Sequence, residues 1–550
     1  MSKTAFLNGK VYVDAGHFEQ AVLQENGIIK AVGTNGEILG LCDWETEKID
    51  CGGKTVIPGL NDSHMHLLMI GEVLNEPPIA GCKSVEDMVE ICRKFAAENP
   101  DAVKHGMHGQ GWNQDLFEEG KVRLPNRYDL DKISTEYPIM LERVCGHTCA
   151  LNSKALEVLG ITKDTPIDVY EGGTVEKDEN GEPNGYVTEN ALYEVRSVVP
   201  SADPEGMYKE LRSAMKYVTE HGLTSVQSND LGLMIANSPE HFGVYKKLYD
   251  DGKMSIRFRH QVCCLLEKDL DEFLATEYAK REEYDRFNGW LTLGPLKMFK
   301  DGSIGARTAL MKEPYVDDPT NYGIDSLEQG LMERLVKKAA ANGLQSVTHV
   351  IGDRAVELTN QAYEKVMVDG KNPLKNCLIH CELTGMDLLE YIKKTDTLIA
   401  YQPVFLQGDQ YTMATRFKPE LIKTSLACKT VIDMGIHASY GTDSPVEDSN
   451  PFANIYCAVN RKDLTGKPEE GWNTQECVTV EQAIDAYTVE SAYMEFAEEY
   501  KGRIKPGYYA DLEILDTDIF TCDPMDIIHI LPELVMVGGE IVLRDKIYQK

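Results

Sequence analysis

Two histidines separated by one residue follow an apolar run near the amino terminus. The run Val56–Leu60 leads into His64 and His66. In an extended chain, an offset of two residues places both side chains on the same side. Neutral imidazole nitrogens that face one point make half of a zinc site. The pair alone is equally compatible with a structural role, so the chemistry depends on further ligands.

Further side chains with useful chemistry stand near the ends of separate apolar runs: Lys297, His349, His380 and Asp443. Together with His64 and His66 they make a set of four histidines, a carboxylate and a lysine, which can hold two divalent ions. A lysine ammonium cannot bind a metal. We therefore expect Lys297 to act as a carbamate formed with CO2, whose two oxygens bridge a pair of ions.

The elements that must position these side chains are short apolar runs alternating with amphipathic helical stretches, a pattern that predicts a parallel sheet with helical crossovers. Eight such runs occur: Val56–Leu60, Leu223–Gln227, Ile256–Val262, Leu291–Phe299, Gln345–Val350, Asn376–His380, Thr397–Gln402 and His437–Gly441. Eight strands with intervening helices predict an α/β fold, a closed (β/α)8 TIM-type barrel with its active site at the carboxyl ends of the strands.

The chain ends and one long connection lie outside this pattern. Roughly 150 residues separate the first two runs, which predicts an inserted subdomain or lid after strand 1, at about residues 70–215. Residues 1–58 and 505–550 consist of short strands, with Asn8-Gly9, Asn26-Gly27 and Asn35-Gly36 as hairpin turns. We expect these two segments to form one small β-sandwich domain, and residues 59–504 to form the barrel with its insertion.

Composition excludes several classes of function. With 56 basic and 89 acidic residues, the net charge of −33 repels phosphate backbones and anionic lipids, so we expect neither nucleic acid nor membrane as a partner. The amino terminus has no apolar signal segment, and no apolar stretch approaches the ~18 residues of a membrane span, which predicts a cytoplasmic protein. The 14 cysteines form no paired CxxC motifs, which argues against a disulfide framework or a structural zinc ribbon.

The sequence resembles the metal-dependent amidohydrolase superfamily, within the branch of YtcJ-like proteins and N-substituted formamide deformylases. The segments that carry the resemblance occur in the expected order over nearly the whole chain: Ile57–His66, Gly146–Leu156, Lys297–Ser303, His349–Ala355, Gly441–Pro445 and Lys505–Leu512. The resemblance implies a barrel, a small β-sandwich made from both termini, a divalent metal such as zinc, and a homodimer.

Carried over position by position, the resemblance implies a set of ligands for each of two ions. His64 and His66 would bind the first ion together with Asp443. The second ion would be bound by His349 and His380, and Lys297 would bridge the two ions. One departure is Leu378-Ile379 before His380, where relatives often place a glutamate beside the histidine. Lys300 also lies close to Lys297, but an offset of three points it to the other face of a strand.

Metal chemistry then predicts the reaction. A bound ion lowers the pKa of water from about 15.7 to near 7, and this metal-activated hydroxide attacks a carbonyl carbon. We expect Asp443 to act as general base and then as general acid toward the leaving nitrogen, which contributes about 10²- to 10⁴-fold. The sequence thus predicts an enzyme, a hydrolase of a non-peptide C–N bond in a small molecule: a linear or cyclic amide, or an N-formyl or N-acyl amine.

Other residues are candidates for substrate contact. His147, in the insertion, is expected to be catalytic by contacting the substrate or the developing oxyanion. Trp112, Arg307 and Asp353 are expected to bind substrate, although core packing or a salt bridge explains each of them equally well. We expect His105 and His108, three residues apart, to be structural or surface residues.

Two rival functions remain open. A single-metal deaminase of a heterocyclic amidine would use the same site, but such enzymes place a glutamate after the sixth strand, which the sequence does not plainly show. A non-catalytic binding protein on this scaffold is the second rival. Retention of all the candidate ligands argues against it, because a decayed site usually loses some of them. The ligand set alone does not decide between zinc, iron and manganese, or between one ion and two.

Overall fold

The computed structural model describes residues 2–100, 102–114, 117–143, 148–170, 173–189, 191–199, 203–233 and 235–544. The chain divides into two compact units: residues 1–69 with 211–550, and residues 70–210. The second unit begins at residue 70, where the inserted subdomain was expected to begin, and ends at residue 210, close to the expected end at about residue 215. The domain boundaries drawn from the sequence stay a prediction.

The secondary structure is numbered along the chain. The strands are β1 Lys3–Leu7, β2 Lys10–Asp14, β3 His17–Glu19, β4 Ala21–Glu25, β5 Ile28–Gly33, β6 Glu47–Asp50, β7 Thr55–Pro58, β8 Leu60–Met65, β9 Met107–Trp112, β10 Ile139–Arg143, β11 Thr148–Leu151, β12 Gly173–Lys177, β13 Pro183–Glu189, β14 Leu223–Ser228, β15 Arg257–Cys263, β16 Leu291–Phe299, β17 Ser346–Val350, β18 Cys377–His380, β19 Leu398–Tyr401, β20 Ala438–Tyr440, β21 Leu512–Leu515, β22 Pro532–Val537 and β23 Glu540–Arg544.

The α-helices follow the same order. They are α1 Asn35–Leu41, α2 Leu67–Leu74, α3 Val85–Glu98, α4 Arg127–Leu130, α5 Ser153–Val158, α6 Ala191–Val195, α7 Pro204–Glu220, α8 Pro239–Asp250, α9 Glu267–Ala275, α10 Gln329–Ala341, α11 Asp353–Glu364, α12 Met386–Lys394, α13 Leu406–Arg416, α14 Pro419–Ile422, α15 Cys428–Met434, α16 Pro451–Asn460, α17 Val480–Tyr487 and α18 Val489–Met494. Short 3₁₀ segments are Arg196–Val198, Tyr278–Phe287, Pro403–Phe405, Thr474–Glu476 and Pro524–His529. Within the described ranges, none of these helices combines the length and apolar character needed to cross a membrane.

Eight parallel strands form the barrel, in the order β8-β14-β15-β16-β17-β18-β19-β20. At the carboxyl ends, the amide of Asp443 donates to the carbonyl of His64 at 2.9 Å, and the amide of His66 donates to the carbonyl of Ser444 at 2.8 Å. These two bonds join the segments that follow the first and last strands. The predicted TIM-type barrel is confirmed.

The first barrel strand differs from the prediction. Val56–Pro58 belongs to β7, which pairs with β2 and β21 in a separate sheet, and the barrel begins with β8 at Leu60. Gly59 separates the two strands, and a Cβ atom at this position would lie 2.4 Å from the Thr224 side chain. The apolar run therefore spans two strands, and His64 lies within the barrel strand instead of after it.

Two further sheets lie outside the barrel: the four-stranded one is built from the amino-terminal segment alone, and the six-stranded one combines strands from both ends of the chain. One has the order β5-β4-β1-β6 and the other β23-β22-β21-β7-β2-β3. Side chains from both termini share one buried cluster, including Phe6, Val22, Leu512 and Leu534. Either terminal segment alone would leave these apolar faces exposed, which explains why the two segments fold together.

The Asn-Gly turns take different forms in these sheets. Asn26-Gly27 joins the antiparallel pair β4 and β5 as predicted. The other two interpretations are wrong. Asn8-Gly9 connects β1 to β2, which lie in different sheets. Asn35-Gly36 opens helix α1, because Thr34 and Glu37 form a reciprocal capping box that satisfies the first amides of the helix.

Residues 70–210 build a unit around the five-stranded sheet β12-β13-β11-β10-β9. Alternation along β10 supplies both faces of this sheet: Ile139 and Leu141 enter one buried cluster, and Met140 enters the other. Helix α3 packs into the first cluster, where Ser84 caps its amino end by accepting from the amide of Asp87.

Candidate metal centre

Three predicted ligands meet at the carboxyl end of the barrel. His64 Nε2 and His66 Nε2 each lie 3.2 Å from Asp443 Oδ1. The donor atoms of these three buried side chains all lie within 4.8 Å of one another. Parallel barrel strands bring them together, because His64 and His66 stand at the carboxyl end of β8 and Asp443 follows β20, the neighbour that closes the barrel.

Hydrogen bonds fix which nitrogen of each imidazole faces the centre. His66 Nδ1 lies 2.8 Å from the backbone carbonyl of Asn229, which can only accept, so Nδ1 carries the proton. His64 Nδ1 lies 2.7 Å from Gln261 Oε1, and the amide nitrogen of Gln261 donates to the Ser63 carbonyl at 3.0 Å, which fixes the orientation of the glutamine. In both histidines Nε2 therefore presents a lone pair, the form that binds a metal.

Asp443 Oδ1 is a buried carboxylate oxygen without a hydrogen-bond donor among the described residues. Two imidazole lone pairs point at it, and three electron-rich atoms repel one another unless a cation lies between them. Burial and the charge of Lys297 lower the pKa of His64 to about 3, so its imidazole is neutral at physiological pH. Two neutral nitrogens and a carboxylate oxygen fit a divalent ion.

Asp62 holds the backbone of this cluster in place. Its carboxylate accepts from the amide and the hydroxyl of Thr442, at 2.9 and 2.7 Å, and from the amide of His64, at 3.0 Å. Burial raises the pKa of Asp62 to about 7. A Cβ atom at residue 441 would lie 2.6 Å from the amide nitrogen of His64, so the close approach of the two segments requires Gly441.

Lys297 lies in the same buried centre. Its Nζ is 3.0 Å from His64 Nε2 and 4.5 Å from the centre of the Phe299 ring. Burial lowers the pKa of this lysine to about 8. Near pH 8 a substantial fraction of this lysine is therefore the neutral amine, which is the form that reacts with CO2. The position is thus compatible with the predicted carbamate.

His349 and His380 form the adjoining pair, with ring centres 4.5 Å apart. His380 Nδ1 lies 2.7 Å from Gln402 Oε1, which directs Nε2 inward as in the first two histidines. His349 Nε2 lies 3.1 Å from the carbonyl of Gly302. The centre of the His380 ring lies 5.7 Å from that of His64. Neither His349 nor His380 belongs to the tight cluster of His64, His66 and Asp443.

The backbone is strained where these ligands stand. Asp443 has φ of 58°, and the consecutive residues His380 and Cys381 have φ of 71° and 48°. Non-glycine residues rarely adopt the left-handed region, which costs of order 1–3 kcal/mol per residue. Such strain persists where the surrounding hydrogen bonds over-determine the conformation, and it is typical of functional sites.

Several residues that support the site have no sequence motif. Gln261 and Gln402 orient ligands but stand alone within or directly after apolar strands, so only the fold reveals their role. Asp62 lies inside the Ile57–His66 segment, but only the fold shows that it supports the backbone of Thr442 and His64. Glu382, two residues after His380, is buried, and neither of its oxygens has a hydrogen-bond donor among the described residues. Burial and the neighbouring Asp409 carboxylate raise the pKa of Glu382 well above its usual value. The signal that the sequence offers is its position: Glu382 follows the sixth predicted barrel strand by two residues.

The remaining candidates lie in varied surroundings, and their substrate contacts stay predictions. Trp112 is fully buried in the unit of residues 70–210 and donates its indole N–H to the Leu141 carbonyl at 3.0 Å. Arg307 pairs with Asp317 at 2.6 Å. Asp353 begins α11 and accepts from the amide of Lys312 at 2.8 Å. His147 lies outside the described residues.

Lys300 does not take part in the cluster. Its ammonium donates to Asp325 Oδ1 and to the carbonyl of Leu327, both at 2.6 Å. These partners hold the amine of Lys300 away from His64, the histidine that Lys297 contacts.

Comparison with known proteins agrees with this architecture. Residues 47–543 match the family model described as Amidohydrolase family. The chain is 31% identical over 547 residues to a putative amidohydrolase, YtcJ, of Bacillus subtilis (strain 168), covering 98% of this chain and 99% of the relative. It is 25% identical over 523 residues to the N-substituted formamide deformylase of Arthrobacter pascens, covering 92% and 91%.

A solved structure gives the same result. An uncharacterized metal-dependent hydrolase from Pyrococcus furiosus superimposes with a TM-score of 0.75 at 27% identity, covering 94% of this chain and 100% of that one. The family match and the relatives extend over the barrel and the strands of both termini. This chain therefore belongs to the amidohydrolase family and is a hydrolase of the YtcJ-like branch.

Proposed function

We propose that this hydrolase is metal-dependent and cleaves a non-peptide C–N bond in a small molecule, an amide or an N-formyl or N-acyl amine. The observation that carries the proposal is the convergence of His64 Nε2, His66 Nε2 and Asp443 Oδ1, three electron-rich atoms that share no proton. The similarity to the N-substituted formamide deformylase of Arthrobacter pascens supports the choice of substrate class.

In this proposal His64, His66 and Asp443 hold a divalent ion, which we take to be zinc. A divalent ion bound there supplies a water acidic enough to lose its proton near neutral pH. Asp443 Oδ1 is buried without a hydrogen-bond donor among the described residues, so this carboxylate is the group available to take the proton of that water. The carboxylate accepts the proton of the attacking water and delivers it to the leaving nitrogen, since an amide anion is a poor leaving group.

Lys297, His349 and His380 provide the groups for a second ion. Lys297 would contribute after its neutral amine attacks CO2: a new N–C bond forms, one proton leaves to solvent, and the resulting carbamate carries two donor oxygens. The lowered pKa of Lys297, about 8, supports this step because it raises the fraction of neutral amine. A homodimer acting on a small-molecule substrate completes the proposal.

A single-metal deaminase of a heterocyclic amidine is the second candidate. Two observations favour it: the tight cluster contains three protein ligands, which is enough for one ion, and Glu382 is a buried, unpaired carboxyl two residues after the sixth barrel strand. Glu382 therefore supplies the acidic group that the sequence did not plainly reveal. A protonated carboxyl there would donate to a ring nitrogen during attack on the amidine carbon.

Activity assays decide between the candidates. The protein, purified without chelator and supplied with bicarbonate, is tested against N-formyl amines, N-acyl amines and cyclic amides, and separately against aminopurines and aminopyrimidines. We expect release of formate, carboxylate or ring-opened product from the first set and loss of that activity after dialysis against a chelator. Ammonia release from the second set alone would favour the deaminase, and chelator-resistant hydrolysis would contradict metal dependence.

A further inference from the structure

A cavity opens at the amino ends of the barrel strands, the end opposite to the metal ligands. It has a volume of about 310 Å³. Arg259 is the third residue of β15, Thr292 the second residue of β16, and Gln345 immediately precedes β17, and all three line the cavity. The loop after α18, Glu495–Lys501, supplies much of the remaining wall.

Arg259 places a buried positive charge in this wall. The residue is 7% exposed, and its guanidinium donates to Gln345 Oε1 at 3.0 Å and to the backbone carbonyl of Glu495 and leaves Nε without an acceptor. In the described part of the chain, no carboxylate forms an ion pair with it. Burial lowers the pKa of Arg259. A buried cation bonded only to neutral oxygens is costly, and an anion in the cavity would offset that cost.

The other charges of the wall nearly cancel. Lys501 is 7% exposed and pairs with the carboxylate of Glu495. Glu495 also accepts from the side-chain amide of Asn61 at 2.9 Å. Two cations and one carboxylate leave one net positive charge in a chain whose net charge is −33. The cavity therefore attracts a monoanion more strongly than a dianion, which would face the Glu495 carboxylate.

Aromatic rings form the rim. Phe496 and Tyr500 are 41% and 40% exposed, and the rings of Tyr500 and Tyr509 meet edge to face at 5.2 Å. Phe496 has φ of 63°, a left-handed conformation that is strained for a bulky residue. The centre of the Phe496 ring lies 5.9 Å from the Arg259 guanidinium and 4.5 Å from Lys375 Nζ, so the strained residue holds an aromatic face beside the buried cation.

We propose that this cavity binds a small aromatic carboxylate, in a site distinct from the metal centre. Both terminal nitrogens of Arg259 already donate to neutral oxygens, so a carboxylate would take the unpaired Nε–H together with a remaining terminal N–H of this planar cation. The rings at the rim pack against a flat apolar group. The volume lies at the lower end of the range of small-molecule sites, about 300–1,000 Å³, and suits a single-ring ligand.

Calorimetric titration of the full-length, metal-loaded protein with benzoate tests the proposal. We expect saturable binding at one site per chain, and binding of the neutral isostere benzamide weakened at least about tenfold, equivalent to ~1.4 kcal/mol. Inorganic phosphate and phenyl phosphate serve as competing probes. Tighter binding of either phosphate than of benzoate would overturn the carboxylate assignment, and absence of saturable benzoate binding would overturn the site.

Variants locate the site and exclude binding at the metal. Tyr500→Ala removes an exposed ring and should weaken benzoate binding about tenfold or more without loss of folding, and Arg259→Lys should do the same by removing the fork. Trp44→Ala, which removes a ring 89% exposed on the β-sandwich, is the matched control and should bind normally. His64→Ala should also retain binding. If His64→Ala loses benzoate binding while Tyr500→Ala retains it, benzoate binds at the metal centre and the proposal is refuted.

Discussion

The imidazoles of His64 and His66 each donate from Nδ1 to a fixed oxygen and turn Nε2 toward the carboxylate of Asp443. Selection of the tautomer is thus built into the barrel wall, before any ion binds. His380 Nδ1 has a side-chain acceptor of the same type in Gln402. At the scale of single residues, the site therefore depends as much on the acceptors behind the ligands as on the ligands themselves.

Asp443→Asn tests the proton-transfer role. The amide keeps an oxygen that can face an ion but cannot accept a proton from water, so we expect metal content close to that of the wild type and turnover reduced by about 10²- to 10⁴-fold. Metal analysis and steady-state kinetics on one preparation measure both effects. Unchanged turnover would remove Asp443 from proton transfer.

Gln261→Leu tests the positioning of His64. Without the acceptor at Nδ1, the ring loses its fixed tautomer, and we expect metal affinity to fall about 10- to 100-fold. Competition with a chromophoric chelator measures this affinity. Gln24→Leu is the matched control, because Gln24 is a buried glutamine that donates to Thr4 in the four-stranded sheet, outside the barrel that carries the ligands. Equal affinities in both variants would show that Gln261 does not act through His64.

At the scale of elements, the unit of residues 70–210 contains a charged cluster of its own. His108 on β9 lies 2.6 Å from Glu76 and 3.0 Å from Glu142, and Arg196 also pairs with Glu142. Burial by itself lowers the pKa of His108, but the bonds to Glu142 and Glu76 outweigh burial and raise that pKa to about 10. The structural role expected for His108 agrees with this arrangement.

The raised pKa predicts how the stability of this unit depends on pH. A histidine whose folded pKa exceeds its unfolded value of about 6.5 contributes its full stabilisation below pH ~6.5 and loses it as pH rises through about 10. His108→Gln should therefore lower the opening free energy of β9 and β10 at pH 6 by about 1–3 kcal/mol. The difference from wild type should shrink toward pH 10.

Hydrogen exchange followed by mass spectrometry reports this effect on peptides from β9 and β10. His17→Gln is the control, since the side chain of His17 is 51% exposed and belongs to the β-sandwich. If the opening free energy of β9 and β10 in His108→Gln stays below that of the wild type by the same amount between pH 6 and pH 10, the ionic role of His108 is contradicted.

The sequence predicts elements well where an apolar run has clear ends. Leu291–Phe299 was predicted with its observed bounds, and Lys297 within it reaches the centre as expected. The first barrel strand was misplaced because Val56–Leu60 reads as one run although Gly59 divides it. The Asn35-Gly36 pair signals a turn by composition, yet the capping box of Thr34 and Glu37 converts it into a helix start.

The supporting contacts of the site were beyond reach for a different reason. His64 meets Gln261 across 197 positions of sequence, and the contact follows only from the pairing of barrel strands. Ligands at strand ends are predictable because the barrel topology places them, whereas the residues behind them depend on packing in three dimensions.

At the scale of the whole molecule, the barrel and the β-sandwich are joined by a buried ion pair. Arg257 on β15 donates to both oxygens of Asp511, at 2.7 and 3.0 Å, and its guanidinium lies 3.9 Å from the centre of the Tyr509 ring. Asp511 also accepts from the amide of Gly538 at 2.7 Å. The carboxylate thus ties a barrel strand to the strands of the carboxyl terminus.

Asp511→Asn leaves the buried guanidinium of Arg257 without its counter-charge, and we expect the free energy of unfolding to fall by about 3–5 kcal/mol. Asp250→Asn is the matched control: it breaks a bidentate pair with Arg286 whose side chains are about half exposed, and it should cost no more than about 1 kcal/mol. Urea unfolding of both variants compares them, and equal losses would contradict a joining role for Asp511.

Metal content per chain tests the central claim most directly. Protein purified without chelator, with bicarbonate supplied, is analysed by plasma emission alongside His64→Ala. We predict about one to two ions per wild-type chain and a clear loss in the variant with the fold retained. About two ions would support the carbamate on Lys297. No metal in the wild type, or full occupancy in His64→Ala, would contradict a metal centre formed by His64, His66 and Asp443.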